Sequence, residues 1–406
     1  MNPFTKTTRR RLATVIAALA SGAVLTACSA LGLTTTSTDS ADSAASTTSV
    51  TSVTSAVAAL SDDAESHAEA DDAAYDASEA TTITLADGAS TTSATDGVAI
   101  SGDVITISAP GTYLVSGTLS NGQLVVNSAA EGKVRIVLDG ASITSGTGSA
   151  FVITAADEAV VVLADGSKNS LTDGTGYDTS ADDAPNAALF SMADLTIGGT
   201  GELTVTGNTN DGIASKDGLV ILSGTISVTA VDDGIRGKDY LIVTDGTVSV
   251  DAKGDALKSD NETDDTVGYV LIDGGTVTLA AGDDGIHAEG DLAVNGGTLT
   301  VSRSNEGLEG ATITIAGGAT DVTASDDGVN ASTGTGSSQR GGGMASDGAL
   351  LTISGGTLLV NAEGDGLDSN GSMVITGGTT VVSGPTGSGN GALDSNGGIT
   401  VTGGTV

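Results

Sequence analysis

Eight aliphatic residues recur along the second half of this chain: Ile213, Ile235, Leu257, Ile286, Leu308, Val329, Leu367 and Leu393. Two positions before seven of them stands an acid, namely Asp211, Asp233, Asp255, Asp284, Glu306, Asp327 and Asp365. Asn210, Asp232, Asp283, Asn305 and Asp326 run beside these acids, and Asp260 sits in the densest acidic stretch, "KSDNETDD". Carboxylates, amides and backbone carbonyls crowded at glycine-rich corners suit calcium, a hard ion that takes about six to eight oxygens. The shortage of His and Cys turns the chemistry away from zinc. The candidate metal ligands are therefore Asp211, Asp232, Asp233, Asp255, Asp260, Asp283, Asp284, Asp326, Asp327 and Asp365. Cations stand close by in the early copies: Lys216, Arg236, Lys238 and Lys258. They could bind an acidic ligand or neutralise the acids. One of them could also serve as the base that removes a proton α to a uronate carboxylate acidified by calcium, with Lys258 as first choice and Lys238 or Arg236 as second. No Ser/His/Asp or Cys/His set is visible, and His287 fills the outward slot that Arg236 and Lys258 hold in other copies. With 51 acids, a pair of carboxylates suited to glycoside hydrolysis is not excluded.

The aliphatic positions are separated by 22, 22, 29, 22, 21, 38 and 26 residues. A base period of about 22 with longer excursions reads as one structural coil with loop insertions at one corner. Between the acidic steps lie alternating segments such as "SGTISVTA", "DGTVSVDA", "GGTVTLAA" and "GGTLTVSR". They have the period of two that a half-buried strand requires, and Gly or Asn at the breaks permits tight corners. The economical solution is an all-β fold, a right-handed parallel β-helix whose coils stack about 4.8 Å apart. A β-propeller needs roughly twice this period. Residues 81–190 read as N-terminal coils and a cap, and residues 191–406 as regular coils, with "GYDTSADDAPNAALF" a protruding loop. The chain ends inside a further "GGTV" strand, so the final coil is expected to be cut short.

Stacking would turn the repeated acids into a column. Unit charges 4.8 Å apart at an effective dielectric of 20 repel by roughly 3.5 kcal/mol, so something must offset the column. Intercalated lysines and arginines, bridging calcium and outward solvation are the three candidates.

Composition narrows the partners. The formal net charge is −37, aromatics are 2% and Trp is absent. Such a field repels nucleic acid and anionic lipid and attracts cations. The single cysteine, Cys28, excludes an intrachain disulfide. Lys6 to Arg11 lead into the apolar run "LATVIAALASGAVLTAC", and Leu25-Thr26-Ala27-Cys28 resembles a bacterial lipobox. Residues 1–27 then form a lipoprotein signal peptide. Cys28 carries the lipid, and the mature protein is held on the outer face of the cell membrane. Residues 28–80 are Ser, Thr, Ala and Asp and read as a disordered tether, with His67 a solvated member.

The stretches "NTNDGIASKDGLVILSGTISVTAVDDGIRGKDYLIV", "GDALKSDNETDDTVGYVLIDGGT" and "GDDGIHAEGDLAVNGGT" closely resemble bacterial extracellular carbohydrate-binding β-helix proteins. The resemblance covers about residues 83–406. It implies a pectate-lyase-like, calcium-containing fold that binds plant-wall polysaccharide, both acidic pectic chains and cellulose-like glucans, without established catalysis. The expectation is a monomeric binder, with a calcium-dependent polysaccharide lyase or a structural surface spike as the alternatives. Ala256 departs from the family pattern, where glycine is usual.

Overall fold

The computed structural model describes residues 66–181, 183–334, 345–385 and 387–406. From residue 151 onward each coil contributes one strand to each of three parallel sheets. The first sheet carries the acidic steps and includes Asp211–Ser215, Ile235–Gly237, Leu257–Ser259, Val329–Ala331 and Leu367–Ser369. The second includes Gly218–Ile221, Tyr240–Val243 and Tyr269–Ile272, and the third Thr225–Ala230, Thr247–Asp251, Thr276–Ala280 and Thr298–Arg303. Two long strands, Ile286–Val294 and Leu308–Ile315, run through the corner between the first and second sheets. At the N-terminal end the parallel rule gives way to antiparallel pairs, Val98–Ser101 with Val104–Ile107 and Thr81–Leu85 with Thr91–Thr92. The chain thus forms the expected all-β parallel helix.

The eight aliphatics stack in register, Ile213 on Ile235, then Leu257, Ile286, Leu308, Val329, Leu367 and Leu393. The first seven are fully buried in one continuous core of Val, Ile, Leu and Ala. Small residues suffice because every coil is roofed by its neighbours.

The glycine between acid and aliphatic has a packing reason. A Cβ on Gly234 would lie 2.2 Å from Val250 Cγ1, and one on Gly212, Gly307, Gly328 or Gly366 would meet a valine Cγ1 equally closely. In the coil where Ala256 replaces glycine, register sets Leu279 where the other coils have valine. Leucine has no branch at Cβ, so the room Val250 fills elsewhere is open to the extra methyl. Ala256 is fully buried.

Two expectations are corrected. Insertions were placed at one corner. Those at 260–268 and 332–349 do fall between the first and second sheets, but the one at 384–392 lies between the third and first. The tether expected to run to residue 80 ends earlier, because residues 66–80 are a strap laid on the body. His67 Nδ1 meets the Tyr240 hydroxyl at 2.7 Å and Nε2 meets Thr196 Oγ1 at 2.9 Å, with Asp194 3.3 Å from Nδ1. Asp72 is buried against the Lys133 ammonium, which also holds Glu69 and Glu158, both at 2.9 Å. Arg135 Nε donates to the Asp72 carbonyl at 2.8 Å. Ala68 packs on Val220 and Ile242, and Ala73 and Tyr75 on Val137, Val160 and Val162. Composition marked this segment as unable to build a core; it borrows one.

Candidate functional site

The acids form the column that the repeat requires, and the column is mostly buried. Asp211, Asp233, Asp255 and Asp284 each expose less than a tenth of their surface. Its first offset is one that the side-chain pattern did not reveal. Each carboxylate accepts the backbone N–H of the next coil's acid. Asp211 takes it from Asp233 at 3.3 Å, Asp233 from Asp255 at 3.0 Å, Asp255 from Asp284 at 2.9 Å, and Asp284 from Glu306 at 3.1 Å. After a gap the ladder resumes, with Asp327 accepting from Asp365 and Asp365 from Gly391, both at 2.5 Å. Hydrogen bonds from N–H to a carboxylate are among the stronger kind. Asn186 caps the first rung, its Nδ2 donating to Asp211 at 2.8 Å.

The second offset divides the column in two. One residue past six of the aliphatics, Arg236, Lys258, His287, Glu309, Asn330 and Asp368 stand in register, with Ala214 in the slot of the first coil. In the first three of the six this slot holds a cation. Arg236 forks onto Asp260 at 2.9 and 2.6 Å and lies 3.9 Å from Asp211. Lys258 Nζ bridges Asp255 at 2.7 Å and Asp233 at 3.2 Å. His287 lies between Glu309 at 2.5 Å and Asp284 at 3.6 Å. Burial works against the His287 cation, yet Asp284 and Glu309 win and push its pKa up to about 10. Glu309 is held below the usual carboxylate range, chiefly by its hydrogen bond with His287, so it is the anionic partner. Burial also opposes the charge on Lys258, but Asp233 and Asp255 raise its pKa above that of an ordinary lysine.

Beyond Glu309 the slot holds no cation. Asp365, Asp368 and Asp394 bring one carboxylate oxygen each within 4.8 Å of one another. Burial and the neighbouring carboxylates of Asp327, Asp365 and Asp394 push Asp368 up to about 7, and burial pushes Asp327 up to about 6. Asn330 lies directly over Asp368 and is nine-tenths buried. Its Nδ2 donates to Glu306 at 2.9 Å, which turns Oδ1 the other way, and that oxygen is buried without a hydrogen-bond donor. An orphaned amide oxygen in register with crowded carboxylates suits a hard cation.

The remaining sequence candidates are dispersed. Asp232, Asp283 and Asp326 are exposed at the corner. Asp283 still approaches Asp255 and Asp284, but Lys258 already pairs with Asp255 and His287 stands 3.6 Å from Asp284. Asp260 belongs to Arg236 rather than to a metal cluster. Lys216, its pKa lowered chiefly by burial and then by Arg236, joins no ion pair among the described residues, and neither does Lys238. Asp368, Asp394 and Asn330 were not among the expected ligands. Their signal lay in the outward slot, where the run of cations stops. The "KSDNETDD" insertion walls an open groove of about 610 Å³ with Glu262, Asp264, Asp265, Glu289 and Asp291 on its lining. Cys28 lies outside the described residues. No helix among the described residues is long and apolar enough to cross a membrane.

A stacked parallel coil carrying a buried acidic ladder defines a parallel β-helical solenoid. The chain belongs to the family described as carbohydrate-binding domain-containing protein, which matches residues 101–384. A carbohydrate-binding domain-containing protein of Acetivibrio thermocellus is 39% identical over 137 residues. That match covers 33% of this chain, and the chain spans 48% of the relative's length. Among solved structures, the polysaccharide lyase-like protein from C. thermocellum, a gadolinium derivative, superposes with a TM-score of 0.48 at 24% identity. It covers 80% of this chain and 100% of that one.

Proposed function

We propose that this protein binds polysaccharide at the bacterial surface without cleaving it. The lipid on Cys28 anchors it, and calcium completes the distal end of its acidic column. The observation that carries the non-catalytic reading is the state of Lys258. A lyase base must be neutral when it takes the proton, whereas Lys258 is gripped by two carboxylates that favour its charged form. Arg236 is equally engaged with Asp260. The cations suited to chemistry on a uronate are the counterions of the fold.

Calcium fits Asp365, Asp368, Asp394 and the Asn330 amide oxygen, with Asp327 alongside. In the coils of Asp211 to Glu309, Arg236, Lys258 and His287 already bring positive charge to the column. When bound, the ion would supply charge neutralisation and a bridge to a ligand carboxylate. The chain's own residues hold the ion and align the last coils. An acidic polysaccharide meets a strongly negative protein, so its binding depends on calcium and on Lys216 and Lys238.

The test is retention on immobilised polysaccharides with product analysis, in calcium and in chelator. Retention without unsaturated uronate product is expected. Accumulating unsaturated product that disappears in Lys258→Ala would establish the lyase instead. No retention on any polysaccharide would leave a structural spike.

A further inference from the structure

The first sheet carries the buried acidic column and the ionisable slot from Arg236 to Asp368. On the second, the outward-pointing Val220, Ile242 and Leu271 are buried on the strap's side of the body. The third sheet is different. Its inward residues are core valines, isoleucines and leucines, and two of its outward columns bear hydroxyls in strict register, exposed except for the half-buried Thr300. One column reads Thr225, Thr247, Thr276 and Thr298, and the other Ser227, Ser249, Thr278 and Thr300. Their register neighbours at the two ends are Glu202 on one side and Asp321 on the other. Between those two charges the two columns present eight hydroxyls and no charge, with the exposed Asp251 and Arg303 beside them on the same strands, on a protein whose net charge is −37.

Among the described residues, no hydrogen bond engages any of the eight hydroxyls. That is not the habit of the sheet, since Ser142 and Ser170 bond each other at 2.7 Å one coil apart. The lateral rim is closed by an ion pair, Arg303 with Asp251 at 3.1 Å. The result is a lattice with a spacing of about 4.8 Å between coils and about 6.7 Å along a strand. Each point can both donate and accept a hydrogen bond. Strand backbones hold the lattice in place, so little ordering remains to be done on contact.

We propose that this face docks a flat array of uncharged polysaccharide chains, as at the surface of an insoluble glucan. The proposal rests on the carbohydrate-binding reading above and assigns it a surface. An uncharged ligand escapes repulsion by the acidic body, its hydroxyls match groups that both give and take, and a rigid periodic solid meets a rigid periodic face. A dissolved flexible chain would have to be straightened first. Threonine methyls add apolar contact where aromatic platforms are lacking.

The experiment measures depletion of the full chain by microcrystalline cellulose, with retardation on a polygalacturonate gel in parallel. Ser249→Lys combined with Thr278→Lys sets bulk and charge in the centre of the lattice at exposed positions. The expected result is at least about a tenfold loss of affinity for the solid, with unchanged melting and no loss on polygalacturonate. Ser227→Thr with Ser249→Thr keeps the hydroxyls and is expected to bind as the parent does. Should the paired lysine variant melt early, Thr276→Lys alone serves in its place. Undiminished depletion by a well-folded lysine variant would overturn the assignment, as would parent binding to polygalacturonate only. Either of those outcomes leaves carbohydrate binding intact. Failure of the parent on every polysaccharide removes the underlying reading itself. Inhibition of ice growth without depletion by the glucan would assign the lattice to a different solid.

Discussion

At the scale of single residues, the column shows how one position changes its meaning from coil to coil. Gly234 is present because Val250 leaves no room for a methyl group, so Gly234→Ala is expected to cost about 1–3 kcal/mol by overpacking. Adding Val250→Leu copies the Ala256 and Leu279 pairing of the next coil and should recover part of that loss in a denaturant titration. Lys258→Met is expected to cost about 3 kcal/mol, because two mostly buried carboxylates lose their counterion. Asp368→Asn carries the opposite sign. With chelator it removes a carboxylate that burial and its neighbours already push up to about 7, so melting should rise. With calcium the same variant should lose most of the stabilisation that the ion gives the parent, which for one site at 100 times its dissociation constant is about 2.7 kcal/mol. Equal melting of the parent with and without calcium would return the distal acids to solvent and proton chemistry alone.

At the scale of elements, the strap and the sheets were legible to different degrees. The strands were readable because alternation of Thr or Ser with Val, Ile or Leu is a local signal, and the 22-residue period turns it into a stack. The column of Asp211 to Asp365 was readable for the same reason, since stacking follows from period alone. What could not be read was how the column is offset. The ladder of backbone N–H groups belongs to no side chain, and the pairing of Arg236 with Asp260 rather than with its own coil's acid depends on reach across coils. The strap was missed because residues 66–80 have no apolar pattern of their own. Their partners, Lys133, Thr196 and Tyr240, lie far along the chain. Asp72→Ala is expected to free Lys133 from its buried partner and release the strap, seen as faster amide exchange over 66–80 with the coils unchanged.

At the scale of the whole molecule, titration of the column sets the pH response. Burial, then the Asp233 charge, raises Asp211 to about 8, and burial raises Glu306 to about 8. For such groups the folded state binds protons that the unfolded chain has released by about pH 4 to 5. Their contribution is complete below that range and is lost as pH climbs through 8. His287 has the same sign, its stabilisation fading between about 6.5 and 10. The chelated protein should therefore melt higher at pH 5 than at pH 8, which calorimetry across that window checks; a flat or rising profile would mean that the acids are not desolvated in solution. The strap carries a further consequence, for load. His67 joins the body at Tyr240, several coils in from the N-terminal end, and the strap then runs back to Lys133. A pull applied at the start of the strap would enter amidships. It would drag the strap lengthwise across the backs of several coils at once, so that many bonds share the pull before the first coil could peel away.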